Sequence, residues 1–397
     1  LTLSLLLGIG FLGEVDYQMI PPLLPLLAVD FHVTPPTLGR AVPIYSMASA
    51  VFSLIFGYLS DHWGRKPFIF YGLLGFSAVA MLTHFSSSLE LFFLARFLAG
   101  MATGAIVTSA TSYAADYFSY ERRGRAMGML STAYFAAAIV GIPLATTVAA
   151  NWGWRPIFFI ISGVSLLWGL LIWKIFVDRI GTKSETPRRE ERLSLTRIRE
   201  VLSMIMRRRE TLSILVASML SSGAIVAFIT FLGSHLNLSL GVSVQKVGLV
   251  FLFSGLASLI GAPLSGLVAD KWAKRPVLIL SGLLLAGCLA VIPRLDWNVT
   301  LFVLMGMAGF AIAFRMAPLL ALTTELVDPW ERGTFLALRN ALSSIGIAAS
   351  TLVASYCYQA AGYRAVGLFA SGLTVLSTVF ILMFVQEPKD HKPPPPA

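Results

Sequence analysis

The hydrophobic positions of this chain fall in long blocks, not in the alternation of a half-buried strand or the narrow stripe of a surface helix. A membrane-spanning helix needs about 20 mostly apolar residues. Breaking the chain at charges, at Gly and Pro and at polar loop residues predicts twelve such segments: 1–26, 38–60, 67–86, 89–115, 124–149, 154–177, 211–234, 244–269, 276–293, 298–324, 334–357 and 363–386. The first run is read as a span and not as a cleaved leader, because it continues too far and carries acids. Composition agrees. Of 397 residues, 56% are hydrophobic and 13% charged, whereas a soluble domain carries about a quarter charged residues. The longest polar stretch, roughly 177–210, has the length and composition of a loop, which excludes a large soluble catalytic domain.

A ten-residue charged turn interrupts the apolar blocks twice. Gly57-Tyr58-Leu59-Ser60-Asp61-His62-Trp63-Gly64-Arg65-Lys66 returns 209 positions later as Gly266-Leu267-Val268-Ala269-Asp270-Lys271-Trp272-Ala273-Lys274-Arg275. At the same offset Asp116 falls on Glu325, Gly153 on Gly362 and Arg155 on Arg364. Matches at separate connections argue for duplication. The expected fold is therefore an all-α membrane protein with twelve transmembrane helices in two pseudo-symmetric six-helix bundles. The expected boundaries are 1–177 and 211–386 for the bundles, 178–210 for a basic linker with amphipathic spacing, and 387–397 for a polar tail. Internally duplicated membrane bundles are an architecture of transporters, with the substrate site near the midplane between halves.

Charge adds orientation. The net charge is +10, and the basic residues gather in alternate connections: Arg65, Lys66, Arg122, Arg123, Arg125, Lys271, Lys274, Arg275, Arg332 and the central loop. This places those connections, and both termini, in the cytoplasm of a cell (inner) membrane. The basic excess thus reflects topology and the lipid bilayer, and no nucleic-acid motif competes with that reading. The two cysteines, Cys288 and Cys357, lie inside apolar segments and give neither a disulfide framework nor a metal site. No His/Cys/Asp cluster has metal spacing and no phosphate-binding Gly-rich loop occurs, so no cofactor and no ATP-driven or enzymatic chemistry is expected.

The first turn resembles the loop 2–3 signature of the major facilitator superfamily, G-x-L-x-D-x-x-G-R-K. Arg96-Phe97-Leu98-Ala99-Gly100 with Gly104 resembles its fourth-helix signature, and Trp152 to Phe158 the entry to its sixth helix. Over the whole chain the sequence is most similar to twelve-helix drug:proton antiporters and sugar or metabolite efflux proteins. One departure stands out. The antiporter signature on helix five has adjacent Gly-Pro, whereas here Gly141 and Pro143 are separated by Ile142. The resemblance implies the major facilitator fold and alternating access by a monomer. It also implies a small-molecule substrate and the proton gradient as energy source. In such a scheme Gly57, Asp61, Gly64, Arg65, Lys66 and Asp116, with Asp270, Lys274 and Glu325 in the second half, form a cytoplasmic gate. Asp61 begins the turn and sits near the start of helix eleven.

Buried charge supplies the remaining candidates. Glu14 and Asp16 lie mid-way along the first segment, where carboxylates are costly and line cavities or pair with bases. Two positions apart is about 200° on a helix, so they face different ways. Glu14 is assigned to a cavity with Tyr17 and Gln18, and Asp16 to a neighbouring helix. Arg96 is expected to tune the proton-carrying acid. Arg315 is open to two uses, binding an anionic substrate group or neutralising a first-helix acid. The leading functional reading is proton-coupled efflux of a small amphipathic molecule or sugar-like metabolite. The rivals are a symporter or uniporter of an anionic metabolite or lipid, and a non-transporting membrane sensor.

Overall fold

The computed structural model describes residues 2–118, 132–176, 208–327 and 332–385. Among these, ten helices are long and apolar enough to cross a membrane, and a bent pair at the start of the chain adds another crossing. One of the ten, Phe335–Phe384, is two helices folded back at Ala361 and Gly362, where the backbone leaves helical geometry. The result is the expected twelve. We number them α1 (Thr2–Gln18, continued by Ile20–Asp30), α2 (Ala41–Trp63), α3 (Arg65–His84), α4 (Leu89–Tyr117), α5 (Thr132–Trp152), α6 (Arg155–Ile175), α7 (Arg209–Ser234), α8 (Val244–Trp272), α9 (Lys274–Val291), α10 (Val299–Glu325), α11 (332–360) and α12 (363–384). Most of the basic linker and the whole polar tail lie outside the described residues, as do Arg122, Arg123 and Arg125.

Two helices depart from a straight rod for chemical reasons. α1 bends by 46° at Met19, just before Pro21 and Pro22 remove two backbone donors and Pro25 a third. The segment expected as one run over 1–26 is thus two arms meeting at an angle. In α5 the turn Ala137–Gly141 widens to a π-helix immediately before Ile142 and Pro143. A proline that cannot donate to the preceding turn favours such a widening.

The connections alternate between two faces. The turn face carries Gly64 and Ala273, while the far face carries Gly153, Gly241 and Gly362. The duplication is visible in the backbone: Gly64 has φ 93° and ψ 151°, and its counterpart Ala273 has φ 94° and ψ 146°. Glycine visits this region freely, but a side chain there costs about 1–3 kcal/mol.

The halves meet tightly at the far face. The Cα of Gly233 on α7 faces the backbone of Pro21 and Pro22 on α1 so closely that a Cβ would lie 2.8 Å from the Pro21 carbonyl oxygen. Gly39 abuts Phe231, and the Ser355 hydroxyl donates to the Pro36 carbonyl at 2.9 Å. Gly248 and Gly255 on α8 pack against Thr146 and Ile139 on α5. At the turn face, by contrast, Tyr58, Asp61 and Trp63 are exposed. This conformation is closed on the far face.

Candidate functional site

The most buried charges of the first half form one pair. Asp16 stands at the end of the first arm of α1, and Arg96 near the far-face end of α4. Both side chains are 1% exposed. One terminal nitrogen of Arg96 donates to both carboxylate oxygens, at 3.0 and 3.1 Å, and the other donates to the Thr83 hydroxyl at 3.0 Å. The guanidinium lies over the rings of Phe158 and Phe92, 5.0 and 5.6 Å from their centroids. Its Nε has no partner among the described residues. Either charge alone at this depth would cost several kcal/mol; together they neutralise one another.

Glu14 sits on another face of α1, half-buried. Gln18, one turn on, donates to its Oε2 at 2.9 Å and to the Tyr134 carbonyl of α5 at 3.2 Å. Gln18 therefore joins Glu14 as its spacing suggests. Tyr17 makes no hydrogen bond to Glu14: its ring stacks on Tyr45 of α2 at 5.3 Å, and its hydroxyl accepts from Ser46 at 3.4 Å. The long side chain swings across to α2, towards the Asp16 face. Tyr45 in turn donates to Thr103 of α4 at 2.8 Å.

A cavity of about 410 Å³ lies elsewhere. It separates α2 and α4 from the first turns of α11 and is lined by Ser49, Ala50, Ser53, Leu54, Gly104, Val107, Thr108, Ala337, Asn340, Ala341 and Ser344. Neither Glu14 nor Tyr17 nor Gln18 lines this cavity. The acids are packed between helices of the first half, whereas the cavity lies between the halves. α2 and α4 connect the two regions. A Cβ on Gly100 would lie 2.3 Å from the Tyr45 carbonyl oxygen, and one on Gly104 2.7 Å from that of Ser49. Such contact holds the two helices as one body.

At the turn face, Arg65 bridges the ends of α2 and α4. It pairs with Asp61 one turn before it, reaches Asp116 at 3.4 Å and donates to Ser60 at 2.9 Å. Asp61 belongs to the last turn of α2 and does not start the connection, which is Gly64 alone. A Cβ on Gly57 would touch Thr108 of α4 at 3.1 Å, so this glycine lets α2 approach α4. Lys66 stands apart from the network, its ammonium 4.9 Å from the Trp173 ring centre on α6. In the second copy, Lys274 begins α9, while the side chains of Asp270 and Glu325 lie outside the described residues.

Arg315 reaches no first-helix acid. It is 2% exposed and donates to the Leu278 carbonyl of α9 at 3.1 Å and to Ser377 of α12 at 3.4 Å. It lies inside the second half, not on the cavity wall, because its position on α10 faces α9 and α12. Gly141 packs on Val15 of α1, where a Cβ would be 2.3 Å from a Val15 methyl. Pro143 faces Gly248 across the halves.

The family model of the Major Facilitator Superfamily matches residues 6–239 and 214–397. The chain belongs to this superfamily. Among its relatives, the uncharacterized MFS-type transporter YceJ of Bacillus subtilis is 28% identical over 386 residues, covering 94% of this chain and 95% of that protein. Multidrug resistance protein MdtG of Klebsiella pneumoniae is 25% identical over 393 residues, covering 95% and 92%. Two solved structures share the fold, each with a TM-score of 0.77. A bacterial homolog of the human lysosomal transporter Spinster, inward-facing and occupied, is 15% identical and covers 96% of this chain and 95% of that one. A D-xylose-proton symporter is 18% identical and covers 97% of both. Membership makes the chain a multi-pass transporter of small molecules in a lipid bilayer.

Several residues at these sites escaped sequence reasoning. Thr83, Tyr45 and Thr103 join the surroundings of the Asp16–Arg96 pair only through packing, Thr83 accepting from Arg96 and Thr103 from Tyr45. Asn340 and Ser344 did carry a signal, since an amide inside a long apolar segment asks for a partner or a cavity.

Proposed function

We propose that this superfamily member exports a small amphipathic molecule in exchange for protons, with its turn face towards the cytoplasm. The observation that carries the reading is the Asp16–Arg96 pair: a carboxylate at membrane depth whose only charged partner among the described residues is one arginine on another helix. Protonating Asp16 removes the charge that holds Arg96. The guanidinium must then find another acceptor, which shifts α4, and α2 is packed on α4 through Gly100 and Gly104. Loading or removing one proton thus biases the arrangement of α2 and α4, the two first-half helices that line the cavity against α11. A few kcal/mol of bias suffices to invert a two-state balance.

In this reading the described conformation faces the cytoplasm. Closing the turn face would carry the Arg65–Asp61–Asp116 cluster against the second half, where it serves as the latch of the outward-open state. Efflux is favoured by the similarity to proteins named for multidrug resistance and orientation by the basic loops. The anion-transport rival loses its motivation once Arg315 points into its own half.

The test is proton flux in proteoliposomes. Reconstituted protein should accumulate substrate when the lumen is acid, and Asp16→Asn should abolish this while retaining counterflow of labelled substrate. Normal proton-driven accumulation by that variant would move the carrier elsewhere, Glu14 being the next candidate. Absence of counterflow in the unmodified protein would favour the sensor reading.

A further inference from the structure

The chemistry of the cavity between α2, α4 and α11 says more than its position. Five of its lining side chains are polar, namely Ser49, Ser53, Thr108, Asn340 and Ser344, and the rest are aliphatic or glycine. Among the described lining residues none is charged and none is aromatic, so they offer no counter-ion and no ring face for a cation. Hydroxyls elsewhere in the helices mostly bond to a carbonyl of their own helix, as Ser46, Thr83, Thr146, Ser281, Thr323 and Thr374 do. In the cavity only Ser53 does so, donating to Ala50 at 2.8 Å. Ser49, Thr108, Asn340 and Ser344 make no side-chain hydrogen bond with any described residue. The nearest cation on α11, Arg339, faces away and donates to Ser218 of α7 at 3.1 Å.

We infer that this cavity takes an uncharged, hydroxyl- or carbonyl-bearing head group, the polar end of a neutral amphiphile. The inference rests on the transporter reading above and names the substrate class of this site between the halves. The unused amide and hydroxyls supply donors and acceptors from both halves: Ser49 and Thr108 from the first, Asn340 and Ser344 from the second. A neutral ligand would therefore bridge the halves without leaving a buried charge unpaired. An ionised head placed there would meet no counter-charge among the described lining residues. The volume suits a small ligand, at the lower end of the usual range of roughly 300–1,000 Å³.

The experiment uses three probes that share a nitrophenyl or nitrobenzyl tail: 4-nitrophenyl glucoside (neutral), 4-nitrophenyl phosphate (anionic) and 4-nitrobenzyl-trimethylammonium (cationic). Full-length protein in nanodiscs carries Ala341→Cys, in a background of Cys288→Ser and Cys357→Ser, and the new thiol is labelled with a maleimide. The glucoside should slow labelling, and the two ionised probes should leave the rate unchanged. Asn340→Leu should raise the half-protecting glucoside concentration about tenfold, as expected for one lost hydrogen bond to a neutral group. Should that variant not fold, Thr108→Val should give a smaller shift in the same direction. Equal or better protection by either ionised probe overturns the inference, and so does protection by none of the three. The transport reading fails separately, through a labelling rate without any probe that ignores both pH and Asp16→Asn.

Discussion

The two halves share a backbone plan but divide their charges unequally. The first half has Glu14, Asp16 and Arg96 within its helices, and the arginine is matched by an acid at 3.0 Å. The second half has Arg315 and Arg339 within its helices, and its acids Asp270, Asp296, Glu325, Asp328 and Glu331 all fall at helix ends or connections. Its buried arginine is held by a carbonyl and a hydroxyl instead. A proton can change the charge of a carboxylate at working pH but not that of a guanidinium. Duplication thus yields one half with carboxylates at membrane depth and one that, among the described residues, has none there. The turns differ in the same sense. The first is a glycine flanked by an Arg65 network, and the second places Ala273 in a conformation suited to glycine.

The sharpest way to break this comparison is at the paired acid. Asp16→Asn should reduce proton-driven accumulation to the level of protein-free vesicles. Arg315→Met should leave the pH dependence of transport unchanged, although it removes a charge of equal burial. If both variants behave alike in a substrate-driven proton-flux assay, the division between halves is wrong.

Reversing charges at the turn face should have the next largest effect. Arg65→Asp and Asp116→Arg should each slow turnover severalfold, and the double variant should recover part of that loss. Exposed pairs contribute only about 0–1 kcal/mol to folding, so thermal midpoints should move little. A purely additive double variant, measured by initial rates in vesicles, would remove the latch.

The turns themselves give the smallest and most symmetric test. Gly64→Ala should lower stability by about 1–3 kcal/mol, because it creates in the first turn the strain present in the second. Ala273→Gly should raise stability by about 1 kcal/mol. Thermal unfolding of the two purified variants in one detergent reads both. Opposite signs sharpen the comparison; the same sign would mean that the turns are not equivalent.

Much of the fold was legible because membrane insertion imposes long apolar segments, and because duplication left Gly57, Asp61, Gly153 and Arg155 with partners at one fixed offset. The site was less legible. Asp16 and Arg96 were recognisable as costly charges, but their contact depends on where the α1 bend and the α3–α4 connection place them. Tyr17 was grouped with Glu14 by helical angle and went instead to Tyr45, because angle fixes the Cα–Cβ direction and not where a long ring comes to rest. Arg315 read as a possible ligand for an anion, and only the packing of α9 and α12 showed that its donors are engaged within its own half.

The sequence by itself determined the number of crossings, the repeat and the identities of the charges that a bilayer makes expensive. These follow from composition and from period, which are local properties of the chain. Tertiary structure decided which acid meets which base, which face is closed and which polar groups remain unused around the cavity. Those depend on the angles between helices, and residues as far apart as Ser49 and Asn340 are brought to one wall only when the halves dock.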